Sequence, residues 1–143
     1  MIIRKIREED LADLRELYIA LCDEEISLEG IKKAFKRMEK NEDYYLLGAE
    51  IDGKIVGTLM GIVCCDVASE NKNFMTIENV VVLEAYRGKG VCKKLFYSVE
   101  EIAKENECTY VYLVSGAHRK EAHALYEALG YAKEGAKGFR KHF

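Results

Sequence analysis

A chain of 143 residues fits one domain that can bury roughly two-thirds of its unfolded surface, so no second domain is required. Apolar residues at 49% and charged residues at 33% are those of a soluble protein, no apolar run nears the about 20 residues of a membrane span, and Met1-Ile2-Ile3-Arg4 lacks the apolar core of a signal peptide; a cytoplasmic protein with no membrane partner is expected. A net charge of −3 disfavours nonspecific nucleic-acid binding, and five cysteines (Cys22, Cys64, Cys65, Cys92, Cys108) with no Cys-x-x-Cys pair and no ligand-spaced histidine argue against a zinc site or a disulfide framework.

In chain order, Ile2 to Ile6 predicts a short first strand. Acidic Glu8-Glu9-Asp10 suits the positive end of a helix dipole, and Leu11, Leu14, Tyr18 and Leu21 then recur at helical spacing. Ser27 is a candidate cap for a second helix with apolar positions Ile31, Phe35 and Met38; Cys22-Asp23-Glu24-Glu25 forms an acidic corner before it. Tyr44 to Ile51 and Lys54 to Cys65 flank Asp52-Gly53, the strongest short hairpin signal in the chain, and predict two antiparallel strands.

Asp66 to Asn73 is a polar loop before a β-branched run ending at Leu83. That run is too apolar on both faces for an edge strand and predicts a central one. A long helix from about Gly90 to Asn106, a strand from Thr109 to Val114, a turn at Ser115-Gly116-Ala117-His118 and a helix from Arg119 to Leu129 stopped by Gly130 come next. Tyr131 to Glu134 and Phe139 to Phe143 predict a final antiparallel pair. Strand, two helices, three strands, helix, strand, helix, two strands is an α/β order with a mixed sheet, and without proline, repeats or low-complexity segments residues 1–143 form a single domain.

The chemistry concentrates between Ile77 and Leu95, where a strand leads through Arg87-Gly88-Lys89-Gly90 into a helix. A helix's first turn leaves N–H groups unpaired and carries roughly +0.5 charge, which makes it a phosphate site wherever the backbone can be approached. Gly88 and Gly90 have no Cβ to block that approach, and Arg87, Lys89, Lys93 and Lys94 add positive charge, so a pyrophosphate is the expected ligand. Neither a Gly-x-x-x-x-Gly-Lys-Ser/Thr loop nor a Gly-x-Gly-x-x-Gly fingerprint is present.

Arg87-Gly88-Lys89-Gly90-Val91-Cys92 resembles the Arg/Gln-x-x-Gly-x-Gly/Ala signature of the GNAT superfamily of acetyl-CoA-dependent N-acetyltransferases. Cys92 stands where that family usually has Gly or Ala. The preceding Ile77-Glu78-Asn79-Val80-Val81-Val82 is similar to the family's Ile-Glu-x-Val-x-Val strand. Ser115-Gly116-x-x-Arg119-x-x-Ala122-His123-x-Leu125-Tyr126-Glu127-x-x-Gly130-Tyr131 resembles its closing helix, with Phe139 and Lys141 similar to its last strand. Arg119 replaces the Asn that many members set against the pantetheine arm; a subgroup that includes aminoalkylphosphonate acetyltransferases has Arg there followed by Ala-His, and the chain resembles that subgroup most.

The resemblance implies a single-domain α/β fold (α+β in some schemes), a mixed, mostly antiparallel sheet of about seven strands with helices on both faces, and acetyl-CoA or coenzyme A as cosubstrate. Coenzyme A would be held by Val80, Val81, Val82, Arg87, Gly88, Lys89, Gly90, Val91, Cys92, Arg119 and Tyr126. The pantetheine would pair with backbone freed where two central strands splay, and an N–H there could hold the developing oxyanion. The same valines serve equally as core. Tyr126 resembles the family tyrosine that protonates the leaving thiolate; the alternative is a core tyrosine with a satisfied hydroxyl. Glu78 matches an Ile-Glu of amino-sugar-phosphate acetyltransferases, where a carboxylate could draw a proton from the ammonium through water, or it is an ordinary strand-end carboxylate.

His118 and His123 are secondary base candidates, with His123 expected to hydrogen-bond within the closing helix. Cys64 and Cys65 are expected to be strand residues. Asp23, Glu24, Glu25, Tyr44 and Tyr45 fall in segments that line the family's acceptor side, where acids and aromatics suit a cationic amine. A thiol in a helix's first turn beside Lys93 predicts a depressed Cys92 pKa. The expected activity is direct acetyl transfer to a primary amine of a small molecule; a protein or peptide N-acetyltransferase and a non-catalytic CoA-binding sensor are the alternatives, and the family also allows a homodimer. No metal is expected.

Overall fold

A computed structural model describes residues 1–70, 72–131 and 138–143. The elements run β1 (Ile2–Lys5), α1 (Leu11–Cys22), α2 (Leu28–Met38), β2 (Tyr44–Ile51), β3 (Lys54–Asp66), β4 (Lys72–Val82), α3 (Val91–Glu105), β5 (Cys108–Leu113) and α4 (Lys120–Ala128), with 3-10 turns at Glu8–Asp10, Val67–Ser69 and Glu84–Tyr86. The strands form one sheet in the order β1-β2-β3-β4-β5; every pairing is antiparallel except β4 with β5, which is parallel.

Local chemistry sets most of these boundaries. Ser27 Oγ accepts the Gly30 N–H at 3.3 Å and starts α2. Asp52 and Gly53 both take positive φ, 51° and 79°, as a two-residue type I′ turn requires; the strands they join pair Ile51↔Lys54 and Glu50↔Ile55, and the register then shifts between Glu50 and Ala49.

Two apolar cores cover the two faces of the sheet. On one face Leu11, Leu14, Leu17 and Ile31 of α1 and α2 pack on Leu46, Ile55 and Val81; on the other, Val91, Leu95, Phe96 and Val99 of α3 pack on Leu47, Leu59, Met75, Ile77 and Val82. Helix α3 sits close to the sheet because β3 offers Gly57 and Gly61 beneath it, and a Cβ on Gly61 would lie 2.7 Å from a Val99 methyl. That close seat brings the start of α3 to the end of β4.

The sheet has five strands among the described residues, not the seven or so expected. Residues 132–134 of the expected sixth strand lie outside the described residues. The expected strand Phe139 to Phe143 is absent: Phe139 and Phe143 are fully exposed, and a segment becomes a strand only where a neighbour accepts its hydrogen bonds and covers one face.

An ionic clamp fastens the entry to α1. Arg4 donates from Nη1 and Nη2 to Asp10 at 2.6 and 2.9 Å and from Nε to Glu50 at 2.6 Å, while Asp10 also accepts the Arg7 N–H at 2.7 Å. The guanidinium holds the Asp10 carboxyl below the usual carboxylate range, against the opposing effect of burial. A carboxyl depressed in the folded state stabilises the fold above its unfolded pKa and loses that stabilisation as pH falls through the folded value. Asp10→Ala, which leaves Arg4 with Glu50 alone and removes the acceptor of the Arg7 N–H, should cost about 2 kcal/mol in urea unfolding at pH 7, and the gap to the wild type should narrow in acid.

Candidate active site

The site is built on the last five residues of β4. Across β3, Met60 pairs with Glu78 and Thr58 with Val81, so Asn79 and Val80 together oppose one residue and form a bulge; Asn79 takes φ 55°. On the other edge the parallel pairing with β5 ends at Ile77↔Leu113. From Glu78 to Val82, β4 therefore has no strand beside it on that edge among the described residues.

Alternation decides which backbone groups face the gap. The Leu83 N–H donates to Val56 O of β3 at 2.9 Å, so the backbone groups of Val82 and Val80 turn the other way. Val82 O accordingly accepts Arg87 Nε at 3.2 Å instead of a strand partner. The side chains of Val81 and Val82 are meanwhile buried in opposite cores. The two readings of these valines are thus compatible: their side chains are core, and the backbone of Val80 and Val82 is turned to the gap.

Beyond the Glu84–Tyr86 turn, Gly88 and Gly90 take φ 71° and 78°, where a side chain would be strained, and no heavy atom lies within 4 Å of either Cβ position. Helix α3 starts at Val91, so helix geometry leaves the N–H groups of Val91, Cys92 and Lys93 without intrahelical carbonyls. A cavity of about 860 Å³, within the range of ligand pockets, joins this loop to the free edge of β4. Its far wall is α4 with the turn before it, contributing His118, Arg119, Lys120, Ala122, Leu125 and Tyr126, and its inner end is Ala20 and Leu21 of α1. Four cations, Arg87, Lys93, Arg119 and Lys120, line it against the single carboxylate Glu121, a local reversal of the chain's net charge. A glycine cradle that any Cβ would fill, an N-terminal helix turn and a cationic wall fit a coenzyme A pyrophosphate.

The structure brings together Val80, Val81, Val82, Arg87, Gly88, Gly90, Val91, Cys92, Arg119 and Tyr126, all of which line this cavity. Lys89 does not; its Nζ lies 5.4 Å over the Tyr86 ring. Glu78 is exposed and lies off the cavity wall. Arg119, at the start of α4, donates from Nη2 to Leu21 O at 3.2 Å, tying α4 to the last turn of α1. Tyr126 packs its ring 5.4 Å from Phe96 and is half-buried; burial holds its phenol above the ordinary value, with the Cys92 sulfur raising it further and Arg119 opposing.

Cys92 corrects the expectation of a depressed pKa. Burial pushes the thiol up to about 11, because desolvation disfavours the thiolate. At neutral pH it should be alkylated far more slowly than the exposed Cys22 and Cys65, with or without coenzyme A, as mass spectrometry of a short iodoacetamide treatment can show.

Other candidates scatter. His123 Nε2 lies 3.2 Å from Ser115 Oγ, a partner in the turn before α4 and not within the helix as expected, while His118 lines the cavity. Glu25 pairs with Arg15 at 2.9 Å. Tyr45 packs on the α3 face, where its hydroxyl donates to Asn106 Oδ1 at 3.3 Å. Sequence reasoning missed Ala20, Leu21, Tyr86 and Lys120, which carry no motif and reach the cavity only through tertiary packing. It also passed over Tyr18, whose phenol burial pushes up to about 12. A second cavity of about 1010 Å³ runs along β5 between α3 and α4 and contains none of the glycine-loop residues.

A split parallel pair with a glycine-rich helix start at its mouth leaves unpaired strand backbone and first-turn N–H groups on one cavity. The model of the acetyltransferase (GNAT) family matches residues 5–131, and the chain belongs to that family. It is 30% identical over 149 aligned positions to an uncharacterized N-acetyltransferase of Methanocaldococcus jannaschii, covering 96% of this chain and 63% of that protein. It is 33% identical over 87 residues to N-acetylaspartate synthetase of Xenopus tropicalis, covering 61% of this chain and 30% of that protein, so the chain spans about a third of that relative's length. Its fold is similar to that of an Agrobacterium tumefaciens protein of solved structure, at TM-score 0.92 and 29% identity, with all of both chains covered. No described helix is long and apolar enough to cross a membrane, and no group of metal-ligating side chains occurs among the described residues.

Proposed function

We propose that this chain, as a single domain over residues 1–143, is an acetyl-CoA-dependent N-acetyltransferase that transfers the acetyl group directly to a primary amine of a small molecule. The observation that carries the reading is the end of the β4–β5 pairing at Ile77↔Leu113, which turns the backbone of Val80 and Val82 toward a cavity whose mouth is the Gly88–Gly90 cradle. Acetyl-CoA supplies an activated thioester, and this chain's groups do the rest. The first-turn N–H groups of α3 and the cations Arg87 and Lys93 hold the pyrophosphate. The Val80 N–H polarises the acetyl carbonyl as the amine nitrogen forms the new C–N bond. Tyr126 donates its proton to the sulfur as the C–S bond breaks, and the amine's proton leaves through water, with Glu78 as the acceptor of that proton.

A small acceptor is supported by the Arg119-x-x-Ala122-His123 pattern, which resembles the aminoalkylphosphonate subgroup, and by cationic Arg119 and Lys120 in the cavity wall, which suit an acceptor that also carries an anionic group. Free cysteines throughout support a reducing, cytoplasmic setting. The test is thiol release from acetyl-CoA across aminophosphonates, polyamines, amino sugars, amino acids and peptides. A small amine, first among them an aminophosphonate, should give saturable turnover. Turnover with peptides alone would assign the chain to protein acetylation, and coenzyme A binding with no turnover on any amine would make it a sensor.

A further inference from the structure

Helix α4 carries Tyr126, yet it is seated lightly. None of its nine residues is buried, whereas α1, α2 and α3 each bury at least one, and a helix of that length is marginal without packing. Arg119, Ala122 and Tyr126, at i, i+3 and i+7, face the glycine-loop cavity, while His123 and Glu127 line the second one. The helix is a wall between two cavities.

Its ends are held differently. At the C-terminal end Tyr126 and Tyr131 pack on Phe96 of the α3 core, with ring centroids 5.4 and 5.5 Å away, and the Tyr131 N–H donates to Tyr126 O at 2.9 Å. At the N-terminal end the His123 side chain meets Ser115, which belongs to the helix's own entry turn. The hydrogen bond that reaches beyond that turn, among the described residues, is the one from Arg119 Nη2 to Leu21 O, 3.2 Å long and spanning 98 positions of sequence.

The acceptor of that bond is ready-made. Leu21 lies in the last turn of α1, where carbonyls lack intrahelical donors, and the left-handed Asp23 that ends the helix returns its N–H to Ile19 O. The negative end of the helix dipole favours a guanidinium there. Helix α1 is itself firmly set, with Leu11, Leu14 and Leu17 at most 1% exposed. A fixed helix thus holds the free end of a lightly seated one.

We propose that Arg119 is a positioning residue for acyl transfer: it latches the free end of α4 to α1, and the latch keeps the Tyr126 hydroxyl on the departing sulfur. The inference rests on the N-acetyltransferase reading above. It gives Arg119 a task other than direct contact with the pantetheine arm, the pyrophosphate or an anionic acceptor. With the Phe96 contact as pivot, release of the latch tilts α4 about the Tyr126 ring and turns its hydroxyl, while the glycine loop, which leads into α3, stays in place.

The test is Arg119→Met in the full chain, a change that keeps the unbranched stem and removes the donor, read by hydrogen exchange and by kinetics. Exchange of the α4 amides should quicken by about 10-fold, with those of α1 and α3 unchanged. On the fastest amine of the panel kcat should fall by about 10-fold, equally for amines with and without an anionic group, while Kd for coenzyme A stays within about threefold. Arg119→Met added to Tyr126→Phe should cost nothing further, because the latch acts through the hydroxyl already removed; a residue that merely supports the fold would slow both backgrounds alike. Unchanged exchange in α4 or additive losses in the double variant overturn the proposal. So does a loss confined to coenzyme A affinity or to anionic amines, which would assign Arg119 to a ligand directly. A wild type that binds acetyl-CoA and acetylates no amine sinks the enzyme reading and this proposal with it, whereas an active wild type with unaltered α4 exchange in Arg119→Met sinks the latch alone.

Discussion

Gly90→Val should raise the dissociation constant for coenzyme A by about 100-fold while the domain stays folded. Gly90 takes φ 78° at the N-cap of α3, a conformation that a β-branched residue adopts only under strain. The Cβ position itself meets nothing within 4 Å, so the variant carries backbone strain and no clash with the core. The chain will relieve that strain by rotating the peptides around residue 90, and the first N–H groups of α3 turn with them. A hydrogen bond to a charged group is worth about 1.5 to 3 kcal/mol, so loss of one or two such bonds to the pyrophosphate gives the stated fold-change. In addition the new side chain occupies the surface that the phosphate approaches. Gly90→Ala should fall between the two, since it adds the strain and only one methyl. Calorimetric titration with coenzyme A, alongside circular dichroism, reads both quantities; unchanged affinity in a folded Gly90→Val would remove the loop from the cofactor site.

What was legible in the sequence is what local chemistry decides. Asp52-Gly53 gives its hairpin, Ser27 gives the start of α2, and Arg87-Gly88-Lys89-Gly90 gives the positive-φ glycine turn before α3, because in each case a few adjacent residues determine the backbone. The positions that failed depend on partners far along the chain. Where β5 stops beside β4 is a matter of register, and the residues Glu78 to Val82 look the same whether or not a neighbour accompanies them. Tyr45 is a neighbour of Tyr44, and the parity of the strand sends it to the α3 face with Asn106, away from any acceptor. Cys92 has the helix terminus and the lysine that lower a thiol's pKa, but the core behind it reverses the sign. Phe139 to Phe143, expected as a last strand, has no strand structure, with both phenylalanines exposed. Asn79 left a faint trace, being a residue type that tolerates positive φ, yet nothing nearby marks a bulge.

Tyr126→Phe keeps the aromatic ring and removes one proton donor, and it should lower kcat by about 10- to 100-fold with little change in the affinity for acetyl-CoA. The ring is held by Phe96 at 5.4 Å and Tyr131 at 6.4 Å, contacts that phenylalanine preserves, so the effect isolates the hydroxyl. Negative charge grows on the sulfur as the C–S bond breaks, and a phenol facing the cavity can donate to it. A thiolate is a tolerable leaving group near neutral pH, which places the loss toward the lower end of what general acids contribute, about 10²- to 10⁴-fold. The pH dependence supplies a second reading. Burial raises the Tyr126 phenol above its ordinary value of 10, so the group stays protonated, and competent to donate, through the neutral and mildly alkaline range. The fall in kcat caused by its ionisation should therefore lie above pH 10 in the wild type and be absent from the phenylalanine variant. Full activity in Tyr126→Phe on a good amine would make the residue a packing tyrosine whose role water fills. A loss confined to KM would instead place the hydroxyl on the acceptor or the pantetheine arm.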